Sequence, residues 1–279
     1  MEPWTLPALF ALVAWSVQRV VAKRVLEEFA TAQYYFLSAA VGLPVYLPVL
    51  VLDPPPASAL PGALAVSALM ALTFWVTTEA LRRGPVSRVS PITGLSPAVT
   101  AVLAVGFLGE RPGVVRAAGI AAAVAAVALL GRRPAEGSSP RGPWLGLAVL
   151  STALQGVGAF LAKVVVTPAG PSALLVTGAA VQLAVGAWLL RRERLPVPSL
   201  AGRLARLTVG VLALAAVATV GYLVALSRGP ASVIVPLVAT SPALGGVLGL
   251  VLLRERAGPS QLLGMATGLA AAALLAVPA

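Results

Sequence analysis

The sequence predicts an all-α membrane protein of ten transmembrane helices, arranged as two inverted five-helix repeats. Three observations predict it. The chain is 59% apolar and 10% charged, against roughly 25% charged for an ordinary globular domain. Its apolar runs follow one another at a length of about 20 residues, enough for a helix to cross about 30 Å of hydrocarbon. The second observation is a duplication. Residues 84–111 read GPVSRVSPITGLSPAVTAVLAVGFLGER, and at an offset of 145 residues 229–256 read GPASVIVPLVATSPALGGVLGLVLLRER, with 12 of 28 positions identical. Chance matching of Ala/Val/Leu-rich segments would align alanines and leucines; it would not place three prolines, two serines and a Glu-Arg pair in register. The third is parity. Five spans per copy is an odd number, so the second copy enters the membrane in the opposite sense.

Taken in order, the spans fall near 4–22, 33–52, 60–81, 86–108 and 113–131, then 144–166, 171–190, 207–226, 231–253 and 258–277. Residues 1–131 form the first repeat and 144–279 the second. Between them, 132–143 (RRPAEGSSPRGP) is polar and rich in Pro, Gly and Ser, which marks a linker. The turn at Asp53-Pro54-Pro55-Pro56 and the basic stretch 191–206 are the other clear loops. At an offset of 140, Lys23 aligns with Lys163 and Trp15 with Gln155. The start lacks the basic n-region of a cleavable leader, so the first apolar run is expected to remain as span 1.

The net charge of +11 would point to nucleic acid in a soluble chain. Here the basic residues sit at the ends of apolar runs and read as topology signals. Alternate loops sum to fifteen Lys and Arg on one side; the other side carries four, Arg111, Arg116, Lys163 and Arg228. The positive-inside rule then places the linker in the cytoplasm and both termini outside. With no cysteine and no histidine, disulfide and thiol chemistry are excluded, and so is the usual metal ligand and proton shuttle. No Ser/His/Asp set exists and no phosphate-cradling loop appears. The expectations are no enzyme, no cofactor, no metal, and transport driven by a gradient or by facilitated diffusion.

The candidate residues are those that lipid would not tolerate unpartnered. A proline inside a helix deletes a backbone hydrogen bond, and the freed carbonyl must find protein or water. Pro91 and Pro97 in span 4, and Pro236 and Pro242 in span 9, are matched helix breaks, with Ser96 and Ser241 beside the mid-span pair. They read either as packing kinks or as gating elements that flank a midplane site. Trp15 and Arg19 lie on one face of span 1, and Trp75, Thr78 and Glu79 on one face of span 3. Arg19 either snorkels to the interface or pairs with Glu79 across a cavity. Glu79 is either a partner of Arg82 or Arg83 one turn on, or a cation or proton site. Gln155 in span 6 and Tyr222 in span 8 complete the expected lining. Glu110-Arg111 and Glu255-Arg256 read as structural anchors or as a gating ion pair. Gly264 and Gly268 form a small-residue stripe in span 10 that suits close helix packing.

Two halves, each with a span-3 end running into Gly-Pro (Ala80 to Pro85; Ala225 to Pro230), then Ser, Pro, a mid-span Ser-Pro and a terminal Glu, resemble the EamA-type transporters of the drug/metabolite transporter superfamily. The resemblance covers essentially the whole chain. It implies a basket of ten helices round a cavity lined by spans 1, 3, 4, 6, 8 and 9, multi-pass in the inner or plasma membrane. It also implies export of amino acids, other metabolites or drugs, and cytoplasmic termini, against the charge count. The function expected is secondary-active export of a small metabolite such as an amino acid. Efflux of cationic drugs and flipping of a lipid-linked carrier are the alternatives. The partners expected are the bilayer and a small-molecule substrate, with a coupling proton if Glu79 titrates, and no nucleic acid. Monomer and homodimer both remain open.

Overall fold

The computed structural model describes residues 2–26, 29–83, 89, 92–130, 143–197, 203–252 and 258–277, and the regular elements among them are helices. In the first half these are α1 (Thr5–Leu26), α2 (Thr31–Leu52), α3 (Leu60–Arg83), α4 (Ser96–Phe107) and α5 (Val114–Leu130). The second half holds α6 (Pro143–Ala169), α7 (Ser172–Arg192), α8 (Arg203–Arg228), α9 (Ala231–Ala239), α10 (Ser241–Leu252) and α11 (Pro259–Ala276). Among the described residues, seven helical stretches are long and apolar enough to cross a membrane; α1, α4 and α5 supply shorter apolar ones. Most of the linker 132–143 lies outside the described residues.

The ninth apolar run is two helices. α9 stops at Ala239 and α10 starts at Ser241, because Pro242 in the first turn of α10 has no N–H to continue the ladder. Pro97 likewise sits in the first turn of α4. Pro236 behaves differently: it lies inside α9, which runs through it. Pro91 lies outside the described residues.

Packing partners repeat between the halves. α1 packs on α8 as α6 packs on α3; α1 meets α10 as α6 meets α4; α3 meets α7 as α8 meets α2. α2 with α7, α4 with α9, and α5 with α11 each map onto themselves. Exchanging the halves returns these principal contacts, so the duplication in sequence is also one in packing.

Side-chain contacts define two ends of the bundle. At the first, the Arg116 guanidinium at the start of α5 donates to Glu2 (2.7 Å) and to the Val277 carbonyl (3.2 Å). Glu110, just past α4, accepts from the Ala231 and Ser232 amides (both 2.8 Å), closing the N-terminus of α9. Lys163 near the end of α6 donates to the Leu226 and Gly229 carbonyls (both 2.8 Å), closing the C-terminus of α8. At the other end, the Gln18 amide of α1 donates to the Tyr34 hydroxyl of α2 (3.0 Å), and Gln33 donates to the Pro196 carbonyl (3.0 Å). Arg82 and Arg83 end α3 there, and Arg191 and Arg192 end α7. This second end is the basic face.

The apolar core is lopsided. Its main body holds Trp4, Leu12, Val166, Leu226, Ile234 and Leu275, positions that lie toward the first end of their helices. A small separate cluster of Ala80, Val89, Trp144 and Ala148 sits toward the basic face. Its members are the duplicates of Ala225, Ile234, Trp4 and Ala8, all in the main core. Each half therefore begins with a tryptophan packed on the other half's corner between its third and fourth spans. At the first end that corner is so close that a Cβ on Gly229 would stand 2.2 Å from Trp4 Cγ.

Candidate functional site

Two cavities lie on opposite stripes of α3: Trp75, Thr78 and Glu79 line one and Ser96, Pro97, Gln155 and Pro242 the other, while Trp15, Tyr222 and Ser241, expected in the same lining, line neither. The central one, about 490 Å³, lies where α3, α4, α6 and the α9–α10 break converge. Thr77, Thr93, Ser96, Pro97, Gln155 and Pro242 line it, with Leu130 at the end of α5. Both mid-span Ser-Pro breaks thus contribute a proline to one cavity.

Thr77, Ser96 and Gln155 of this lining form one network with the buried Ser151 behind them. Gln155 Nε2 donates to Ser151 Oγ at 3.0 Å and reaches Thr77 Oγ1 at 3.5 Å. Ser96 Oγ donates to Gln155 Oε1 at 3.4 Å. Thr77 and Ser151 share a 2.5 Å hydrogen bond, and Thr77 also donates to the Thr73 carbonyl (2.7 Å). The bonds on Gln155 from α3 and α4 are at the long limit for such contacts, so the amide is held in place yet loosely enough to exchange partners. Around it, α6 supports the interrupted fourth span: Thr152 donates to the Ile92 carbonyl (2.8 Å), and Thr100 donates to the Gly156 carbonyl (3.0 Å). In the other half, Ser16 of α1 donates to the Ser241 carbonyl (3.1 Å) at the equivalent break, and Ser241 is buried. Irregular backbone at membrane depth needs such partners.

Trp15 and Tyr222 are the duplicates of Gln155 and Thr77. Where the latter form a hydrogen-bonded pair, Trp15 and Tyr222 form a tilted aromatic pair at 5.5 Å between ring centroids. They pack against the main core.

The second cavity, about 760 Å³, is a groove between α3 and α7 at the basic face. Trp75, Thr78 and Glu79 line it with Arg82, Trp188 and Arg192. The sequence reading put the first three in the same lining as Gln155, and the structure corrects this. Thr77 and Glu79 are two residues apart, which is about 200° of helical turn, so they look in nearly opposite directions. The stripe of Thr73 and Thr77 faces the bundle, and the stripe of Trp75, Thr78 and Glu79 faces outward, with Trp75 52% exposed. Glu79 is engaged on its own helix, accepting from Arg82 (2.8 Å) and Arg83 (2.6 Å) through one oxygen; Thr78 Oγ1 donates to the Phe74 carbonyl (2.9 Å). Of the two readings of Glu79, the local partner is the one realised. The side chain of Arg19, on α1, lies outside the described residues.

Thr77 and Ser151 went unnamed in the sequence reading. A signal for Thr77 existed: the 145-residue offset carries Tyr222, which was chosen, onto it. Among the described residues, no cluster of Asp and Glu could hold a metal ion. Glycines of the α11 stripe are taken up inside the chain: a Cβ on Gly264 would meet Leu130, and one on Gly268 would meet Ala243.

No curated protein matches the chain. A solved chain, described only as the crystal structure of a protein, superposes with a TM-score of 0.73 over 97% of this chain and 95% of its own, at 18% identity. That likeness is one of fold. The EamA-like transporter family matches residues 3–132 and again 142–277. The protein is a multi-pass membrane protein and belongs to the EamA-like transporter family.

Proposed function

We propose that the protein is a secondary transporter that exports a small neutral or zwitterionic metabolite, such as an amino acid, by alternating access round the central cavity. The observation that carries this reading is the Gln155, Thr77, Ser151 and Ser96 network at the meeting point of the two broken spans. Its amide and hydroxyls offer donors and acceptors without a fixed charge. The duplicate positions Trp15 and Tyr222 add an aromatic counterpart suited to an apolar side group.

On this reading all ten apolar runs span the bilayer and the halves are inverted. Support comes from helix direction: at the end where Glu2, Glu110 and Lys163 make their contacts, α1 and α5 begin whereas α6 and α8 end. The basic face is then cytoplasmic. The dense core and the Glu110 and Lys163 contacts lie at the opposite end, which supports a cavity that opens toward the cytoplasm, as an exporter awaiting substrate would hold it. Alternation would loosen the Trp4 corner while tightening its duplicate at Trp144.

Uptake of labelled amino acids into proteoliposomes tests the reading. Native protein should move at least one neutral amino acid, and Gln155→Leu should cut its rate at least tenfold. Equal rates for native protein and Gln155→Leu would move the site elsewhere; no transport of any neutral or zwitterionic solute would sink the substrate class.

A further inference from the structure

The groove between α3 and α7 is built unlike a solute site, and we propose that it seats the headgroup of one anionic glycerophospholipid of the cytoplasmic leaflet. Its chemistry is layered along the helix axes. Guanidinium groups of Arg82, Arg83 and Arg192 stand at the rim, at the ends of α3 and α7. Trp188 lies one turn below Arg192, and Trp75 lies about 12 Å below Arg83 at about 1.5 Å per residue. Both rings are about half exposed, at 53% and 52%. Beneath them the lining is aliphatic, with Ala71, Leu72 and Val185. Phosphate level, interface level and acyl level are thus met in turn by arginine, tryptophan and alkyl groups, the order in which a membrane presents them.

Charge selects the headgroup. The rim holds three guanidinium groups and two carboxylates, Glu79 and Glu193. Glu79 is already shared by Arg82 and Arg83. Arg192 instead lies over the Trp188 ring at 5.1 Å from its centroid, and no carboxylate among the described residues is within ion-pair distance of it. Stacking on the indole fixes the guanidinium plane and leaves its donors free for a bidentate phosphate contact. A zwitterionic headgroup would bring its own cation to this positive rim, and an anionic one such as phosphatidylglycerol brings none. The proposal does not depend on which solute the central cavity carries.

The test is quenching of the protein's tryptophan fluorescence in phosphatidylcholine vesicles containing either brominated phosphatidylglycerol or brominated phosphatidylcholine. The anionic quencher should act at an about fivefold lower mole fraction, the preference that one guanidinium near an interface supplies. Arg192→Gln should abolish the preference, and so should Trp75→Phe with Trp188→Phe, which removes the reporting rings. Arg206→Gln, on the same face but outside the groove, should retain it. Equal quenching by the two lipids overturns the proposal, as does a preference that survives Arg192→Gln. Equal loss in Arg206→Gln would mean diffuse surface charge, and loss on adding inorganic phosphate at unchanged ionic strength would mean a free-anion site; each overturns it too. All four side chains are exposed, so the variants should fold, and unchanged melting temperatures would verify this.

Discussion

Gln155 carries more of the functional reading than any other side chain. Its amide joins α6 to α3 and α4, and removing it leaves Thr77 and Ser151 bonded to each other and Thr77 bonded to the Thr73 carbonyl, while Ser96 loses its acceptor at the cavity wall. Burying a polar group without a partner would cost about 1–3 kcal/mol, a cost that Gln155→Leu avoids at Thr77 and Ser151. We therefore expect this variant to lose transport while its melting temperature stays within about 3 °C of native, read by thermal unfolding in detergent. Glu79→Gln should leave transport within about twofold of native in the same proteoliposome assay, because Glu79 bonds Arg82 and Arg83 on the outer stripe of α3. Gln155, Ser96, Pro97 and Pro242 were legible in the sequence as polar or helix-breaking residues inside apolar runs. Thr77 and Ser151 were not, since a hydroxyl in a helix can bond its own preceding turn and needs no site to explain it.

Among elements, the α8–α9 corner is held from three sides. Lys163 takes the last carbonyls of α8, Glu110 takes the first amides of α9, and Trp4 covers Gly229 between them. The Lys163 and Glu110 contacts each put charge where the helix dipole favours it. Glu110→Ala should cost about 1–2 kcal/mol by loss of the cap, seen as a lowered melting temperature. A single cysteine at Ser232 should also become more reactive in that background; unchanged reactivity would show that Glu110 does not hold the corner shut. Gly229→Val should overpack Trp4 and cost about 1–3 kcal/mol, and Trp4→Ala in the same chain should recover part of the loss. The sequence reading took Glu110-Arg111 for an anchor or a gating pair; the partners of Glu110 are backbone amides 121 and 122 residues away, which no local pattern announces.

At the scale of the molecule, the principal packing partners repeat between the halves, but the dense core lies toward one end and the groove between α3 and α7 at the other. Orientation is testable because the chain contains no cysteine. A single cysteine at Ser58, beside the first end, should react with an impermeant maleimide in intact cells, and one at Val197, on the basic face, only after permeabilisation. The opposite pattern would refute the positive-inside assignment and put the cavity outside.

The sequence by itself determined the apolar runs, the duplication and the positions of the proline breaks. These follow from local rules: a helix in lipid must satisfy its own backbone, and proline cannot. Only the tertiary structure decided which stripe of each helix faces the bundle. Lipid tails are as apolar as leucine, so no hydrophobic gradient along the sequence separates a cavity-facing stripe from a lipid-facing one. For that reason Trp75 and Glu79 read as lining residues and Thr77 went unnamed, while the fold turns Thr77 toward the bundle and the other two toward the groove between α3 and α7.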